Sequence, residues 1–322
     1  MNALVTGGTG FVGRHLVDAL LRRGDAVTAL VRSPGKAGGL AEKGVRLVPG
    51  DLADAAALRA AASGQSVIYH VAGRIAARSE AEFLAVNRDG VVQVVAAATE
   101  VSKARIVLVS SLAAGGPVAR GERLRGDEPP RPVTAYGRSK LAGETVLRAG
   151  SLPWTIIRPP AVYGPGDREV LTVFRAARLG VTPVFGDGNQ ELSLVYGPDL
   201  AEALIAAAMT EKTIGGVFYA CHPEVLTSET LVRGIGKAMG RAVRVVSLPR
   251  WIAAGALSLT SGAARLAGRA TVLTPDKANE FFAPAWTCDP EPLSAATGWR
   301  AAHDLTTGAT ETAAWYRAAG WL

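Results

Sequence analysis

Cysteine is nearly absent: Cys221 and Cys288 are the only two in 322 residues. They form no CxxC pair and no histidine cluster accompanies them. That argues against a disulfide scaffold or a metal centre, and they read as two ordinary reduced thiols. Aromatic residues make up only 6%, and no run of Lys/Arg reaches five. Without a basic run beside a stacking platform, the formal charge of +7 is not a nucleic-acid footprint. It suits an anionic cofactor or substrate. No apolar run reaches the ~20 residues of a membrane span. The most apolar stretch, 251–266, is shorter and is interrupted by Gly, Ser and Thr. It predicts a buried or half-buried helix, with a surface-docking amphipathic helix as the alternative. Met1 leads at once into Ala3-Leu4-Val5, which leaves no room for a signal peptide, so a cytoplasmic protein is expected.

What the chain does have is alternation. Short β-branched apolar runs at 4–5, 27–31, 45–48, 67–69 and 106–109 read as strands buried on both faces. Between them 13–23, 54–62 and 80–100 carry apolar residues at helical spacing. This pattern predicts an α/β fold, a doubly wound parallel sheet of the Rossmann kind. Further strands are expected at 154–158 and 217–220. After Arg158, Pro and Gly cluster into site-covering loops, and the last third reads as mostly helical. The expected division is a dinucleotide-binding domain over 1–158, to which about 190–220 returns, and a smaller interwoven substrate region over 159–322.

Gly7-Gly8-Thr9-Gly10-Phe11-Val12-Gly13 lies between the first strand and the first helix. Glycines there let the backbone turn sharply and approach a pyrophosphate, which meets the free N–H groups and positive end of the helix. An NAD enzyme usually has Asp or Glu at the end of the second strand. Here that strand ends Leu30-Val31-Arg32-Ser33. Arg32 can hold a 2′-phosphate, so NADP(H) is the preferred cofactor, with NAD(H) possible. Asp51, after the third strand, is placed either to reach the adenine edge or to make a turn.

Tyr136 and Lys140 are four residues apart and share one helical face. A neighbouring ammonium favours a phenolate, which predicts a tyrosine tuned for proton exchange. Ser111 ends the fifth strand, where its hydroxyl can polarise a carbonyl that the tyrosine protonates.

These residues carry a resemblance. The chain resembles an extended short-chain dehydrogenase/reductase, of the family that includes NAD-dependent epimerase/dehydratases. The resemblance runs from the 7–13 loop through Gly50-Asp51-Leu52, His70-Val71-Ala72-Gly73, Asn87, Ser110-Ser111, Tyr136 to Lys140, Arg158-Pro159 and Asp199-Leu200-Ala201. It implies Tyr136 as acid/base, Lys140 also on the nicotinamide ribose, and Ser111 on the substrate carbonyl. It implies that Ala72, Gly73 and Asn87 line the cofactor and that Pro159 and Val162 flank the nicotinamide. Helices near 80–100 and 136–149 often pair such proteins into a homodimer.

Dehydration is disfavoured, because Ser111 is followed by Leu112-Ala113 and not by carboxylates. Nucleotide-sugar epimerases typically place an arginine after the Gly-Asp-Gly turn. Here Leu192 follows Gly186-Asp187-Gly188-Asn189-Gln190-Glu191. The departures point to the dihydroflavonol-reductase-like and 3β-hydroxysteroid-dehydrogenase-like branches, hence to a ketoreductase acting on a small, apolar ketone or alcohol. A sugar epimerase with tightly held NAD(P) is the alternative, with Arg168 or Arg175 gripping phosphate. Segments 163–190 and 250–282 choose the substrate and carry no pocket-defining motif.

Overall fold

The computed structural model describes residues 1–266, 270–272 and 274–322, with 263–266 as backbone only. The first half alternates as the pattern predicts: β1 (Asn2–Thr6), α1 (Phe11–Arg22), β2 (Ala26–Val31), β3 (Arg46–Pro49), α2 (Ala55–Ala62), β4 (Val67–His70), α3 (Glu80–Asn87), α4 (Asp89–Val101), β5 (Arg105–Val109), α5 (Leu112–Gly115), α6 (Ala135–Arg148) and β6 (Trp154–Ile157). The second half holds β7 (Ala161–Tyr163), α7 (Leu171–Arg178), β8 (Val181–Phe185), β9 (Glu191–Leu192), β10 (Leu194–Tyr196), α8 (Gly197–Met209), β11 (Val217–Phe218), β12 (Leu226–Thr227), α9 (Ser228–Ala238), β13 (Arg244–Leu248), α10 (Arg250–Leu266), α11 (Ala278–Phe281), β14 (Ala285–Trp286), α12 (Glu291–Thr297) and α13 (Leu305–Ala318).

The main sheet has seven parallel strands in the order β3-β2-β1-β4-β5-β6-β11. The winding reverses between β1 and β4, and in such sheets that switch point opens a crevice beyond the carboxyl ends of the strands. Successive strand residues point to opposite faces, so both faces need cover. Val5, Val107 and Ile157 pack with Leu16 and Leu20 of α1 and Leu200 and Leu204 of α8. Leu4, Ile106 and Ile156 pack with Leu58 of α2, Val94 and Ala98 of α4, and Leu147 of α6. Each such leucine contributes about 1.5–3 kcal/mol relative to exposure.

Two elements depart from the sequence expectation. The helix expected over 80–100 divides at Arg88, whose φ is −104°. Buried side-chain bonding from Asn87 and the close approach of α6 hold the chain there: a Cβ on Gly143 would lie 2.2 Å from the Asn87 carbonyl oxygen. The strand expected over 217–220 pairs only at Val217 and Phe218.

The remaining strands form small sheets, β7–β10, β8–β13 and β12–β9–β14. A second core gathers Phe174 of α7, Ile235 of α9 and Tyr316 of α13. On α10 the expectation of burial holds for Ala253 and Leu257 but not for Trp251 or Leu259. No described helix is long and apolar enough to cross a membrane.

Candidate active site

The loop between β1 and α1 is closed to side chains. Gly7 has φ +74°, and a Cβ there would lie 2.6 Å from the Ala72 nitrogen. A Cβ on Gly13 would lie 2.1 Å from the Gly7 carbonyl oxygen. The Gly10 N–H donates to that carbonyl at 2.9 Å and fixes the turn. Gly10 also N-caps α1 with no side-chain partner, so the first-turn N–H groups at Phe11, Val12 and Gly13 belong to a bare helix end. A backbone cradle of this kind fits a pyrophosphate, whose charge the helix dipole favours.

Cations rim one side of the crevice. Arg32 follows β2, is exposed, and has no hydrogen-bond or ion-pair partner among the described residues. Lys36 lies in a short 3-10 turn (Pro34–Lys36) just beyond it. Arg14 donates Nε to the Thr9 carbonyl at 3.0 Å and presses its guanidinium against Gly38. Such an edge fits a 2′-phosphate. Asp51 follows Gly50 and accepts the Ala53 N–H at 2.8 Å, the turn role that its sequence position left open. Leu52 reaches across to Gly90 in α4.

Tyr136 and Lys140 sit in the first two turns of α6. Thr134 caps that helix by accepting the Gly137 N–H at 3.2 Å. Ser111, just beyond β5 and at the N-cap of α5, lies beside Tyr136 and acts to lower its pKa. The Ser111 hydroxyl accepts the Ala113 N–H at 3.1 Å. Lys140 Nζ donates to the Val109 carbonyl at 2.7 Å. Burial lowers its pKa to about 8, against the opposing charge of Glu144. Burial pushes Tyr136 up to about 12, Ser111 opposes this, and Glu280 adds to it. The phenol is therefore protonated at neutral pH, contrary to the phenolate that its lysine neighbour suggested. Desolvation outweighs the opposing effect of Ser111, and the Lys140 ammonium is directed to the Val109 carbonyl.

Gly73 lies between the cradle and the lysine: a Cβ there would be 3.3 Å from Asn87 Oδ1 and 3.5 Å from Lys140 Nζ. Asn87 holds the strand-end loop by donating to the Arg74 carbonyl (3.0 Å) and to Ser139 Oγ (2.9 Å), and by accepting the Arg74 N–H (2.8 Å). Ala72 N–H donates to Thr6 Oγ1, which also meets His70 Nδ1 at 2.7 Å. Burial, then Lys140, lowers His70 to about 3, so it is neutral and no substitute acid near pH 7. On the other side Pro159, whose carbonyl accepts the Leu112 N–H at 2.8 Å, and Val162 in β7 continue from the end of β6.

Several residues here escaped the sequence reading. Glu144 is buried and takes a bidentate pair from Arg158 (2.8 and 2.7 Å) and a hydrogen bond from Ser110 (2.5 Å). Arg158 also donates to the Tyr219 hydroxyl at 3.0 Å. That cluster ties α6 to the ends of β5 and β6, and so fixes where Tyr136 and Lys140 point. From the C-terminal side, Asp276 accepts the Ala135 N–H (2.8 Å) and Glu280 accepts the Thr134 hydroxyl (2.9 Å). Lys277, ion-paired to Glu280, lies 5.9 Å from the centre of the Tyr136 ring, as does the ring of Phe83. The one available signal was compositional: Asp276, Lys277 and Glu280 are the only charged residues between Arg269 and Asp289. Beside this cover an open groove of about 530 Å³ is lined by Pro132, Val133, Arg138, Arg250, Ala278 and Phe282, among others.

A switch-point crevice with a glycine cradle and a Ser-Tyr-Lys group beside it defines an enzyme that uses a nicotinamide dinucleotide. The chain belongs to the NAD-dependent epimerase/dehydratase family, whose model matches residues 3–220, and is an oxidoreductase of the extended short-chain type. It is 36% identical over 320 residues to a ceramide reductase of Caulobacter vibrioides, covering 99% of this chain and 95% of that one. It is 33% identical to the 4-hydroxy-2-methyl-3-oxo-4-farnesyl-3,4-dihydroquinoline-1-oxide ketoreductase of Stigmatella aurantiaca, covering 68% of this chain and 67% of that one. Its fold matches the UDP-glucose 4-epimerase of Thermus thermophilus, solved in complex with NAD, with TM-score 0.79, 24% identity and coverage of 99% and 100%.

Proposed function

We propose that the chain reduces the ketone of an apolar, long-chain substrate to an alcohol, with NADP(H) as cofactor. NADPH, when bound, supplies the hydride. Gly7, Gly10, Phe11, Val12 and Gly13 hold the pyrophosphate, and Arg32 takes the 2′-phosphate. Asp51 and Leu52 face the adenine side. Ala72, Gly73 and Asn87 line the middle of the crevice, while Pro159 and Val162 close it beside the nicotinamide. Ser111 donates a hydrogen bond to the substrate carbonyl oxygen, and Tyr136 gives that oxygen its proton. Lys140 holds the nicotinamide ribose and offsets the charge left on Tyr136.

The observation that carries this reading is the placement of Tyr136 and Lys140 in the first turns of α6, beside Ser111 and with the lysine buried, where burial holds the phenol above its ordinary pKa. A protonated phenol is the form that can neutralise an alkoxide. On the substrate side Leu192 pairs with Leu226 across β9–β12, where a phosphate-gripping cation would be expected of an epimerase. The two other candidates are engaged elsewhere: Arg168 stacks 5.0 Å over Trp321, and Arg175 donates to the Trp321 carbonyl. The near full-length likeness to a ceramide reductase supports a lipid-like ketone. The test mixes the protein with NADPH and a panel of long-chain ketones. Net NADPH loss matched to alcohol formed is expected. Epimerisation of a UDP-sugar with no net cofactor change would establish the other reading.

A further inference from the structure

We propose that the exposed face of α10, with the open face of β8–β13 beside it, docks on an anionic lipid bilayer. The helical period separates two faces of α10. Ala253 and Leu257 are buried, while Trp251, Ile252 and Leu259 are 76%, 38% and 77% exposed. Gly255 and Ala256 are exposed between them. The hydroxyls that interrupt the helix do not make this face polar. Ser258 donates to the Ala254 carbonyl (2.8 Å) and Thr260 to the Ala256 carbonyl (2.6 Å), so both are satisfied within the helix.

The surface continues onto the small sheet. Arg244 pairs with Val181 and Val246 with Pro183 in parallel register, which sets these four on one sheet face. All four are exposed, whereas Thr182 and Val184 on the other face of β8 are buried. Leu179, just before β8, is 79% exposed. At the far end Phe185 stacks on Phe281 at 4.3 Å, and Arg250 lies 5.6 Å over Phe282.

Charge selects the occupant. Segments 170–186 and 230–275 contain nine Lys/Arg and no Asp/Glu. Taking nine from the chain's 35 basic residues leaves 26 against 28 acidic ones, so the positive balance of the protein resides in these segments. Arg178, Arg241, Arg244 and Arg250 are exposed and make no ion pair among the described residues. An apolar helix face with Trp near one end, flanked by unpaired arginines, matches the boundary between acyl chains and anionic headgroups. Either feature alone would find a partner elsewhere; a protein patch or nucleic acid would have to supply both anions and an apolar bed. The groove lined by Arg250 and Phe282 lies at this edge and leads to the cover over Tyr136, so docking would present that groove to the bilayer.

The inference does not depend on the ketone reading. The full-length protein is sedimented with vesicles of phosphatidylcholine alone, or of phosphatidylcholine with phosphatidylglycerol. Binding is expected only with the anionic vesicles, weakening steeply as salt rises. W251S/L259S and, separately, R244E/R250E should each weaken it by about tenfold or more, the scale expected of losing two apolar anchors or reversing two basic ones. Both variants should keep the wild-type melting temperature and cofactor affinity, which shows that they fold. Wild-type protein that stays in the supernatant with both vesicles overturns the proposal, and would leave a protein partner for this face. So would binding that is unchanged by both variants. Neither result bears on net NADPH turnover with a ketone in detergent solution.

Discussion

The sheet half and the outer corner formed by β8, β13 and α10 use apolar residues in opposite ways. On one face of the seven-stranded sheet, Leu4, Ile68 and Ile106 are essentially inaccessible beneath Leu58 of α2, Val94 of α4 and Leu147 of α6. In the corner Leu179, Val181, Val246, Trp251 and Leu259 remain at the surface among unpaired arginines. The sheet half is closely packed, and its glycine cradle leaves no room for a Cβ at Gly7 or Gly13. The exposed residues of the corner leave much of their surface unburied within the chain and stand free to meet an outside partner.

The largest effect should come from the sheet half. Tyr136→Phe removes the proton donor while keeping the ring packing, and should slow the chemical step by about 10²–10⁴-fold. Lys140→Ala should be as inactive and also bind cofactor more weakly, measured by titration; equal cofactor affinity in the two variants would remove Lys140 from the ribose. Next comes packing. Leu58→Ala should cost about 2–5 kcal/mol in denaturant unfolding. Leu259→Ala, in the corner, should stay within about 0.5 kcal/mol. Similar losses at the two sites would erase the contrast.

Arg32→Ala should weaken NADP(H) by about 1–3 kcal/mol and leave NAD(H) nearly unchanged, as calorimetry can show. A smaller effect is set by pH. His70 is neutral in the fold, with its pKa lowered to about 3, and ordinary near 6.5 when unfolded. Its contribution is present above 6.5 and is lost as pH falls toward 3, because only the unfolded chain gains the proton. His70→Gln should flatten the acid limb of the stability curve by about 2 kcal/mol between pH 6 and pH 4. An unchanged acid limb would place the sensitivity on other groups.

Most of the sheet half was legible in the sequence, because each strand there is a short β-branched run and the glycine loop falls between β1 and α1. Ser111, Tyr136 and Lys140 could be singled out in the sequence because a strand end and a helix face fix their mutual placement locally. The division at Arg88 was not legible, since it depends on Asn87 bonding to Arg74 and Ser139 far along the chain. Nor was the Glu144–Arg158 pair, whose members look like ordinary surface charges until the fold buries them. The upward push on the Tyr136 pKa was not legible, because it comes first from burial by the folded chain and then from Glu280, 144 residues away. In the corner the helical run over α10 was visible, but which of its sides faces the protein was not.

The central claim is that Tyr136 serves net carbonyl reduction. The most direct measurement follows nicotinamide absorbance and alcohol product together, in one reaction of wild-type protein with NADPH and a long-chain ketone, beside Tyr136→Phe. The account predicts one NADPH consumed per alcohol formed, and a rate lower by about a hundredfold or more in the variant with cofactor affinity retained. Alcohol formed at an undiminished rate by Tyr136→Phe, or no net loss of NADPH while a UDP-sugar epimerises, would contradict it.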